Sequence, residues 1–583
     1  MEATEGLHDH LANLLRRFAG AAMANDETVK HVVSFTRWFS LPGGNVLFEE
    51  GEPSDALYIV VDGVLAASVA KAGGGERIVG RLGPGEIVGE MGCVTGEPRS
   101  ATVQALRTCE LLEVNWKDLE EVAASDPFLL TAICRTVVQR LARAQEGRLP
   151  SFQPRTFTIL SASDGIDTRL FGEQFKDALS VSGSVGLITR QECMNKSTDE
   201  LRRLETSLDY TVYVAESEDL AWVRLCLRQA DAIIVAIPGG DPPFHLPDSI
   251  SEINANIPRI LAVMWDDDIQ LGSTAAWIRS VAASRHFHIR GRPDIRRMAR
   301  LLTGKGLGFV LSGGGARGLA HIGVAQALSE HGIEVDAVMG TSIGALVGAG
   351  VALEWEHEKL VEKIRRFSRV SPIFDLTIPR QSLLAGRNLR SSLEDWFGDL
   401  EIEDSPIPYS CLSTCLNTGD VSIHDRGSFR YWTAASAAIP GLFPPVVVNE
   451  SVHVDGGVLN NMPSDLIRNV GAGFVVAVDV SGGAQPAEIQ LQKAINTLPP
   501  IDRMNILELL TKVTCVGDSA NAAIRRKQCD VLIVPDVGSI GLLSFRSYPQ
   551  AIRAGYHAAI AYIENVEKRQ SHEVLALPSR AQL

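Results

Sequence analysis

The sequence has no long apolar run, no paired cysteines and no surplus of positive charge, and each absence excludes a class of protein. Its longest apolar run, residues 343–353, is shorter than the about 18–20 residues of a membrane-spanning helix, and the N-terminus lacks the apolar core of a signal peptide. The nine cysteines are scattered without a Cys-x-x-Cys pair, which favours reduced thiols in a cytosolic protein over disulfides or a metal site. Asp and Glu outnumber Lys and Arg by 70 to 55, and the net charge of −15 argues against a nucleic-acid-binding surface. We therefore expect a cytoplasmic protein, and we leave open peripheral contact with the inner face of a membrane and oligomer formation.

The chain is organised in three blocks, because 583 residues are too many for one core of at most about 250–300 residues. After an N-terminal segment, residues 1–29, which we expect to be helical or flexible, residues 30–147 hold short β-branched segments separated by glycine. This spacing predicts an all-β roll followed by a helix. Residues 155–300 alternate apolar strands and helical stretches, as a doubly wound, Rossmann-like α/β domain does, and residues 305–570 alternate again. The middle block has no phosphate-binding glycine loop or reactive cluster, so we expect it to be a spacer or a transmission element.

The pentapeptide from Gly340 to Gly344, with Ser342 at its centre, predicts a nucleophile elbow. The short apolar run 335–339 before it suits a buried strand, and the small apolar residues 345–353 after it suit a helix. Glycines at both ends permit a sharp turn in which the serine side chain stands clear of the backbone.

A glycine-rich stretch upstream predicts an anion site, because it joins a strand to a helix beginning near Leu319 and exposes backbone N–H groups there. Such a loop can hold phosphates or a tetrahedral oxyanion. Its glycine spacing also satisfies the dinucleotide fingerprint, but that fold needs an acidic residue closing the next strand, whereas Asp336 opens it. Arg317 either adds positive charge at the site or pairs with a carboxylate that fixes the loop. The candidate oxyanion residues are Gly313, Gly314, Gly315, Arg317 and Gly318.

Downstream, Asp455 is followed by Gly456 and Gly457, at the end of a predicted strand. The two glycines leave the carboxylate with little steric cover. Alone, this Asp-Gly-Gly is an ordinary turn, but the three elements in this order are much rarer.

Residues 305–480 resemble the patatin-like phospholipase family. The family's anion loop, Gly-x-Ser-x-Gly and Asp-Gly-Gly/Ala motifs match residues 313–318, 340–344 and 455–457, and residues 434–445 look like its loop ahead of the aspartate strand. The resemblance implies an α/β hydrolase domain with a Ser–Asp dyad, and we expect catalysis to need neither a metal nor a cofactor.

The histidines fit a dyad better than a Ser–acid–His triad. A triad would need a histidine after Asp455, where only His557 and His572 remain. His572 lies in a polar tail, the apolar helical stretch around His557 indicates a core position, and His321 is interpreted as a helix-start residue. In the dyad, Ser342 attacks an ester carbonyl, and Asp455 accepts its proton and later activates the deacylating water. Since an isolated aspartate is a weak base, Asp455 must contact the serine in a dry site that raises its pKa.

Residues 85–103 of the predicted roll resemble the phosphate-binding cassette of cyclic nucleotide-binding domains. In that resemblance the turn at Gly89 offers N–H groups, Glu90 accepts from the ribose 2′-OH, Arg99 neutralises the cyclic phosphate and Ser100 adds a donor. The implied allosteric ligand is cyclic AMP or cyclic GMP, and Ser100 does not settle which. A vestigial roll that binds nothing is the alternative.

The order of roll, α/β spacer and patatin-like domain resembles neuropathy target esterase and its bacterial relatives, with one nucleotide-type domain rather than several. We therefore expect a serine esterase of lipid metabolism that hydrolyses acyl esters of lysophospholipids or phospholipids under the control of a cyclic nucleotide. The alternatives are a general carboxylesterase or thioesterase, and a nucleotide sensor or scaffold with an inactive hydrolase domain.

Overall fold

The structure is a computed structural model, and it describes residues 34–572 with internal gaps. The gaps are 71–75, 126–132, 136, 139–152, 164, 194–197, 217–218, 241–246, 248–249, 251–252, 254–255, 267–268, 270–271, 371–374 and 482–520. The chain divides into two compact units, described one at a time below. The first holds residues 1–176, 183–236 and 245–260, and the second holds the remainder.

The first unit begins with the predicted β-roll, built from two four-stranded sheets with strand orders β1-β8-β3-β6 and β2-β7-β4-β5. Its strands are β1 (Thr36–Leu41), β2 (Val46–Phe48), β3 (Ala56–Asp62), β4 (Leu65–Ala70), β5 (Glu76–Leu82), β6 (Ile87–Val88), β7 (Thr102–Ala105) and β8 (Cys109–Asn115), with helices α1 (Glu90–Thr95) and α2 (Trp116–Ser125). Apolar side chains from the strands fill the interior, and Ile133 is buried with them. Most of the helix predicted after Pro127 lies outside the described residues.

The same unit continues as an α/β layer with a parallel sheet, as the alternating pattern predicts. Its strands lie in the order β10-β11-β9-β12, and their side chains are mostly buried. The elements are β9 (Thr156–Ser161), α3 (Thr168–Leu179), β10 (Val185–Ile188), α4 (Arg190–Cys193), α5 (Thr198–Ser207), β11 (Tyr210–Val214), α6 (Leu220–Gln229) and β12 (Ala232–Pro238).

The second unit contains the sheet that carries the three sequence motifs, ordered β19-β20-β17-β16-β15-β21-β22, with β18 also paired to β17. The central strands β17, β16, β15, β21 and β22 are parallel, and β18, β20 and β19 add antiparallel pairs. The strands of this sheet are β15 (Gly306–Leu311), β16 (Ala337–Thr341), β17 (Tyr409–Cys415), β18 (Val421–His424), β19 (Val446–Val448), β20 (Ser451–Asp455), β21 (Ala472–Val478) and β22 (Val531–Ile533). Two further strands, β13 (Arg259–Met264) and β14 (Arg285–Ile289), pair with each other outside this sheet. The helices are α7 (Thr274–Val281), α8 (Arg292–Leu302), α9 (Ala320–Glu330), α10 (Ile343–Ala352), α11 (His357–Val370), α12 (Arg387–Phe397), α13 (Phe429–Ser436) and α14 (Tyr548–His572).

Helices α9 and α14 approach each other closely through glycine. A Cβ on Gly323 would lie 1.9 Å from the carbonyl oxygen of Ile552, and one on Gly555 would lie 1.9 Å from that of Ala320. Any side chain at either position would therefore push the helices apart.

Two details differ from the sequence-based expectations. The strand before the elbow begins at Ala337 rather than at residue 335; Asp336, just before it, has a carboxylate that pairs with Arg300 and accepts from the N–H of Leu307. The core position predicted for His557 is wrong, since this residue lies on the exposed face of α14.

Candidate active site

Ser342 stands on a sharp turn between β16 and α10, as the pentapeptide predicts. Its backbone has φ 57° and ψ −122°, a region that costs a non-glycine residue about 1–3 kcal/mol. The turn is tight on both sides. A Cβ on Gly340 would lie 2.3 Å from the oxygen of Gly344, and one on Gly344 would lie 2.2 Å from the oxygen of Leu311. Glycine is therefore required at both ends of the elbow.

Asp455 ends β20 and faces the serine directly. The Ser342 hydroxyl donates to Oδ2 of Asp455 at 2.7 Å, and the N–H of Gly457 donates to Oδ1 at 2.7 Å. The side chains are almost fully buried, with residue exposures of 7% for Ser342 and 4% for Asp455. Burial raises the pKa of Asp455 to about 6, against the opposing effect of these two hydrogen bonds. A carboxylate in this position is a stronger base than an exposed one.

The glycine-rich loop follows β15, the strand beside β16, so the loop and the elbow meet at the carboxyl end of the parallel sheet. A Cβ on Gly313 would lie 3.2 Å from Cβ of Ser342, and one on Gly318 would lie 2.1 Å from Cγ2 of Ile343. The N–H of Gly313 donates to the carbonyl oxygen of Asn461.

Two backbone donors of this loop remain for a developing oxyanion. Within the described part of the chain, the N–H groups of Gly314 and Gly315 donate to no backbone or side-chain acceptor. Gly315 has φ 55°, a left-handed conformation that suits glycine.

Arg317 connects the glycine-rich loop to a distant segment of the chain. Its Nε donates to the carbonyl oxygen of Ile540 at 2.7 Å, and the neighbouring N–H of Ala316 donates to that of Leu542 at 2.8 Å. Of the two roles considered for Arg317, this contact with the carbonyl of Ile540 agrees with loop fixation.

Two supporting residues carry no sequence signal of their own. The hydroxyl of Ser436, at the end of α13, accepts from the N–H of Ser342 at 2.9 Å. Asn461 holds Gly313 from both sides, since its backbone oxygen accepts from the Gly313 N–H and its Nδ2 donates to the Gly313 oxygen at 3.2 Å. These residues are 94 and 148 positions from their partners, so only the fold brings them together.

The buried histidines near the site have other partners. Nε2 of His321 is 2.8 Å from the oxygen of Ser312, and Nδ1 of His453, two residues before Asp455, is 2.9 Å from the hydroxyl of Ser413. Burial lowers the pKa of His321 to about 4, so this side chain is neutral at neutral pH. Among the described residues, no histidine contacts Ser342 or the carboxylate of Asp455, and no group of His, Cys, Asp and Glu side chains could hold a metal ion.

In the roll, the cassette residues Gly89, Glu90 and Arg99 lie close together. Gly89 has φ 83°, and Glu90 begins α1 and is buried. The guanidinium of Arg99 is buried, donates to the oxygens of Gly89 and Ala56 at 2.9 and 2.8 Å, and lies 4.2 Å from the ring centroid of Phe48. The next residue, Ser100, is exposed.

Two segments match known protein families. Residues 309–467 match the patatin-like phospholipase family and residues 38–126 match the cyclic nucleotide-binding domain. No helix in the described part of the chain is long and apolar enough to cross a membrane.

Relatives match nearly the whole chain. Patatin-like phospholipase domain-containing protein 7 of Mus musculus is 27% identical over 94% of this chain and 47% of its own length, so this chain spans about half of that relative. An uncharacterized NTE family protein of Mycobacterium tuberculosis is 29% identical over 94% of this chain and 96% of its own. The solved N-terminal domain of a transcriptional regulator from Streptomyces coelicolor is 32% identical, covering 24% of this chain and 96% of that one with a TM-score of 0.20. Residues 38–126 of this chain are therefore similar to the cyclic nucleotide-binding domain and residues 309–467 to the patatin-like phospholipase family, and the chain is similar over 94% of its length to an NTE family protein.

Proposed function

We propose that the protein is a serine esterase that hydrolyses acyl esters of lysophospholipids or phospholipids through a dyad of Ser342 and Asp455. The observation that carries the proposal is the 2.7 Å hydrogen bond from the Ser342 hydroxyl to a buried carboxylate whose pKa is raised to about 6. At neutral pH this carboxylate is mostly ionised and contacts the proton that it must remove.

The reaction proceeds in two halves. Ser342 Oγ attacks the ester carbonyl carbon while Asp455 takes its proton, and the N–H groups of Gly314 and Gly315 stabilise the oxyanion, each donor contributing about 3–4 kcal/mol. The tetrahedral intermediate expels the alcohol, which receives the proton from Asp455, and leaves an acyl-serine. Asp455 then deprotonates a water molecule, which attacks the acyl-serine; as the acyl–Oγ bond breaks, Asp455 returns the proton to Ser342 Oγ and the fatty acid leaves.

A fluorophosphonate probe tests the nucleophile. We expect labelling of the native chain and none of Ser342→Ala, with Ser391→Ala, on the exposed face of α12, as a matched serine control that keeps the label. Absence of labelling in the native chain would favour the inactive-hydrolase alternative.

Substrate preference separates a lipid hydrolase from a general carboxylesterase or thioesterase. Each buried CH₂ of the acyl chain is worth about 0.8 kcal/mol, so kcat/KM should rise steeply with chain length if the site is lined for lipid. Hydrolysis of lysophospholipid, diacyl phospholipid, and short and long acyl thioesters measures this. Equal rates across chain lengths would refute the lipid preference.

We further propose that a cyclic nucleotide binds the roll and controls the rate. Support comes from the cassette, in which Glu90 and Arg99 stand where the resemblance requires a ribose acceptor and a phosphate partner. Binding would require Arg99 to exchange its carbonyl partners, on Gly89 and Ala56, for the phosphate.

A buried ion cluster provides a physical route out of the roll within the first unit. Arg107, between β7 and β8, lies 3.1 Å from Asp62 of the roll, 2.7 Å from Asp231 before β12 and 3.9 Å from Glu205 on α5. Asp231 also accepts from the N–H groups of residues 155 and 156, at the start of β9. A movement of Arg107 with the roll would therefore displace Asp231 and, through it, the starts of β9 and β12.

The regulatory proposal is tested by measuring ester hydrolysis with and without cyclic AMP and cyclic GMP, after binding of each has been measured by calorimetry. We expect a change in rate that is lost in Arg99→Gln. An unchanged rate in the presence of proven binding would refute it.

A further inference from the structure

A basic cavity lies outside the catalytic residues. Its volume is about 270 Å³, and its walls are formed by Arg365, Ser368, Arg369, Arg546 and Tyr548. The first three belong to the last turns of α11, Arg546 belongs to the 3-10 turn Phe545–Ser547, and Tyr548 begins α14. We name it the arginine cavity.

The positive charge of the arginine cavity is only partly neutralised. Of its three guanidinium groups, Arg365 pairs with Glu362, a carboxylate that also binds Arg366. In the described part of the chain, Arg369 and Arg546 have no carboxylate partner. This is a local surplus of cations in a chain of net charge −15.

The helix ends explain only part of this arrangement. A cation in the last turn of α11 is stabilised by the negative end of the helix dipole, which accounts for Arg369. It does not account for Arg546, which comes from a distant segment and faces the same cavity. Tyr548 and Ser368 also line the cavity; Ser368 is buried, and its hydroxyl donates to the carbonyl oxygen of Arg365 at 2.9 Å.

We infer that the arginine cavity is a binding site for a phosphate group. Guanidinium groups bind phosphate oxygens with paired, charge-assisted hydrogen bonds, and several on one concave surface select a multiply charged oxyanion over chloride. The cavity is large enough for a phosphate with an organic substituent. Two sources share this chemistry, the headgroup of a phospholipid and a free phosphate compound.

The segment that carries Arg546 also holds the glycine-rich loop. Ile540 and Leu542 accept the hydrogen bonds from Arg317 and Ala316 described above, and Phe545 packs edge-on against Phe367 of α11 with ring centroids 5.1 Å apart. Arg546 is four positions after Leu542, a span of at most about 14 Å. A phosphate in the cavity would therefore stabilise the segment that supports the candidate oxyanion site.

Calorimetric titration of the full chain with inorganic phosphate tests the inference. Because the titration needs no hydrolysis, its result does not depend on whether the proposed esterase activity is correct. We expect binding that weakens about tenfold or more in each of Arg369→Gln and Arg546→Gln. Arg553→Gln on the exposed face of α14 removes the same charge outside the cavity and is the matched control. Circular dichroism checks that each single variant folds.

Flotation with vesicles distinguishes the two sources. If the ligand is a lipid headgroup, vesicles of phosphatidylcholine containing phosphatidic acid should bind the native chain but not the Arg546→Gln variant. If the chain binds inorganic phosphate in the titration but does not bind these vesicles, the ligand is a free phosphate compound. Either result supports the site. It would be overturned if phosphate did not bind, or if Arg553→Gln weakened binding as much as the two cavity variants.

Discussion

Ionisation of the buried carboxyl group of Asp455 is required for the proposed reaction but lowers the stability of the folded chain. The substitution Asp455→Asn should remove both effects. Burial raises the pKa from 3.8 to about 6, so between these values the folded chain holds a proton that the unfolded chain has released. Stability therefore falls as the pH rises through roughly 4–6. Above pH 6 the cost is about 2 pKa units at about 1.36 kcal/mol each, or ~3 kcal/mol. An asparagine keeps the shape and an acceptor for the N–H of Gly457, but it does not ionise.

We expect Asp455→Asn to be inactive and, at pH 8, more stable than the native chain by up to ~3 kcal/mol, with the difference shrinking towards pH 4. Urea denaturation of the native and variant chains across this pH range measures the difference in the free energy of unfolding of the second unit, which holds Asp455. Asp420→Asn is the matched control, because Asp420 is exposed in the turn between β17 and β18. The reasoning is refuted if Asp455→Asn is no more stable than the native chain at pH 8, or if the difference does not change with pH.

Four further outcomes follow from the same contacts. The kcat/KM for ester hydrolysis should rise with pH until Asp455 is ionised, near pH 6, and then level off; a pH–rate profile that is flat between pH 5 and 7 would contradict this. Ser342→Gly should unfold at higher urea than Ser342→Ala, by about 1 kcal/mol or more, because glycine adopts φ 57° without strain. Gly313→Ala should lower kcat about 100-fold in steady-state assays, since its methyl group would lie 2.4 Å from Oδ1 of Asn461; a near-native kcat would show that the loop tolerates the shift. Arg107→Met should destabilise the first unit by about 3–5 kcal/mol in a denaturation curve, because it leaves buried carboxylates unpaired.

Local sequence signals predicted the parts of the fold that depend on local chemistry. Buried parallel strands such as β9, β11, β12 and β15 are nearly continuous apolar runs, so the alternation of strands and helices in both α/β blocks could be recognised. β14 was not predicted, because the sequence Arg285-His286-Phe287-His288-Ile289 is polar at alternate positions. Its charged end is satisfied by distant carbonyl oxygens, such as that of Val470, which binds Arg285 at 2.8 Å.

The candidate site also contains parts that the sequence predicts and parts that it does not. The elbow, the glycine-rich loop and the Asp-Gly-Gly turn are each recognisable because close backbone approaches exclude every residue except glycine. The residues that hold them are not recognisable, because a serine such as Ser436 or an asparagine such as Asn461 has many ordinary roles. Their functions depend on contacts that span about a hundred residues or more of sequence. The exposed position of His557 was missed for the opposite reason, since an apolar composition does not say which face of a helix a given residue occupies.

The close approach of α9 and α14 has a consequence for where this protein can be cut. The segment that matches the patatin family, residues 309–467, includes α9 and all three motifs but ends before α14. The two helices meet backbone to backbone at Gly323 and Gly555, and α9 begins directly after the glycine-rich loop. A fragment trimmed to the recognisable motifs would therefore expose the face of α9 that α14 covers and lose the carbonyl groups at residues 540 and 542. The shortest fragment that keeps this helix pair therefore extends far beyond Asp455 and the last of the three motifs.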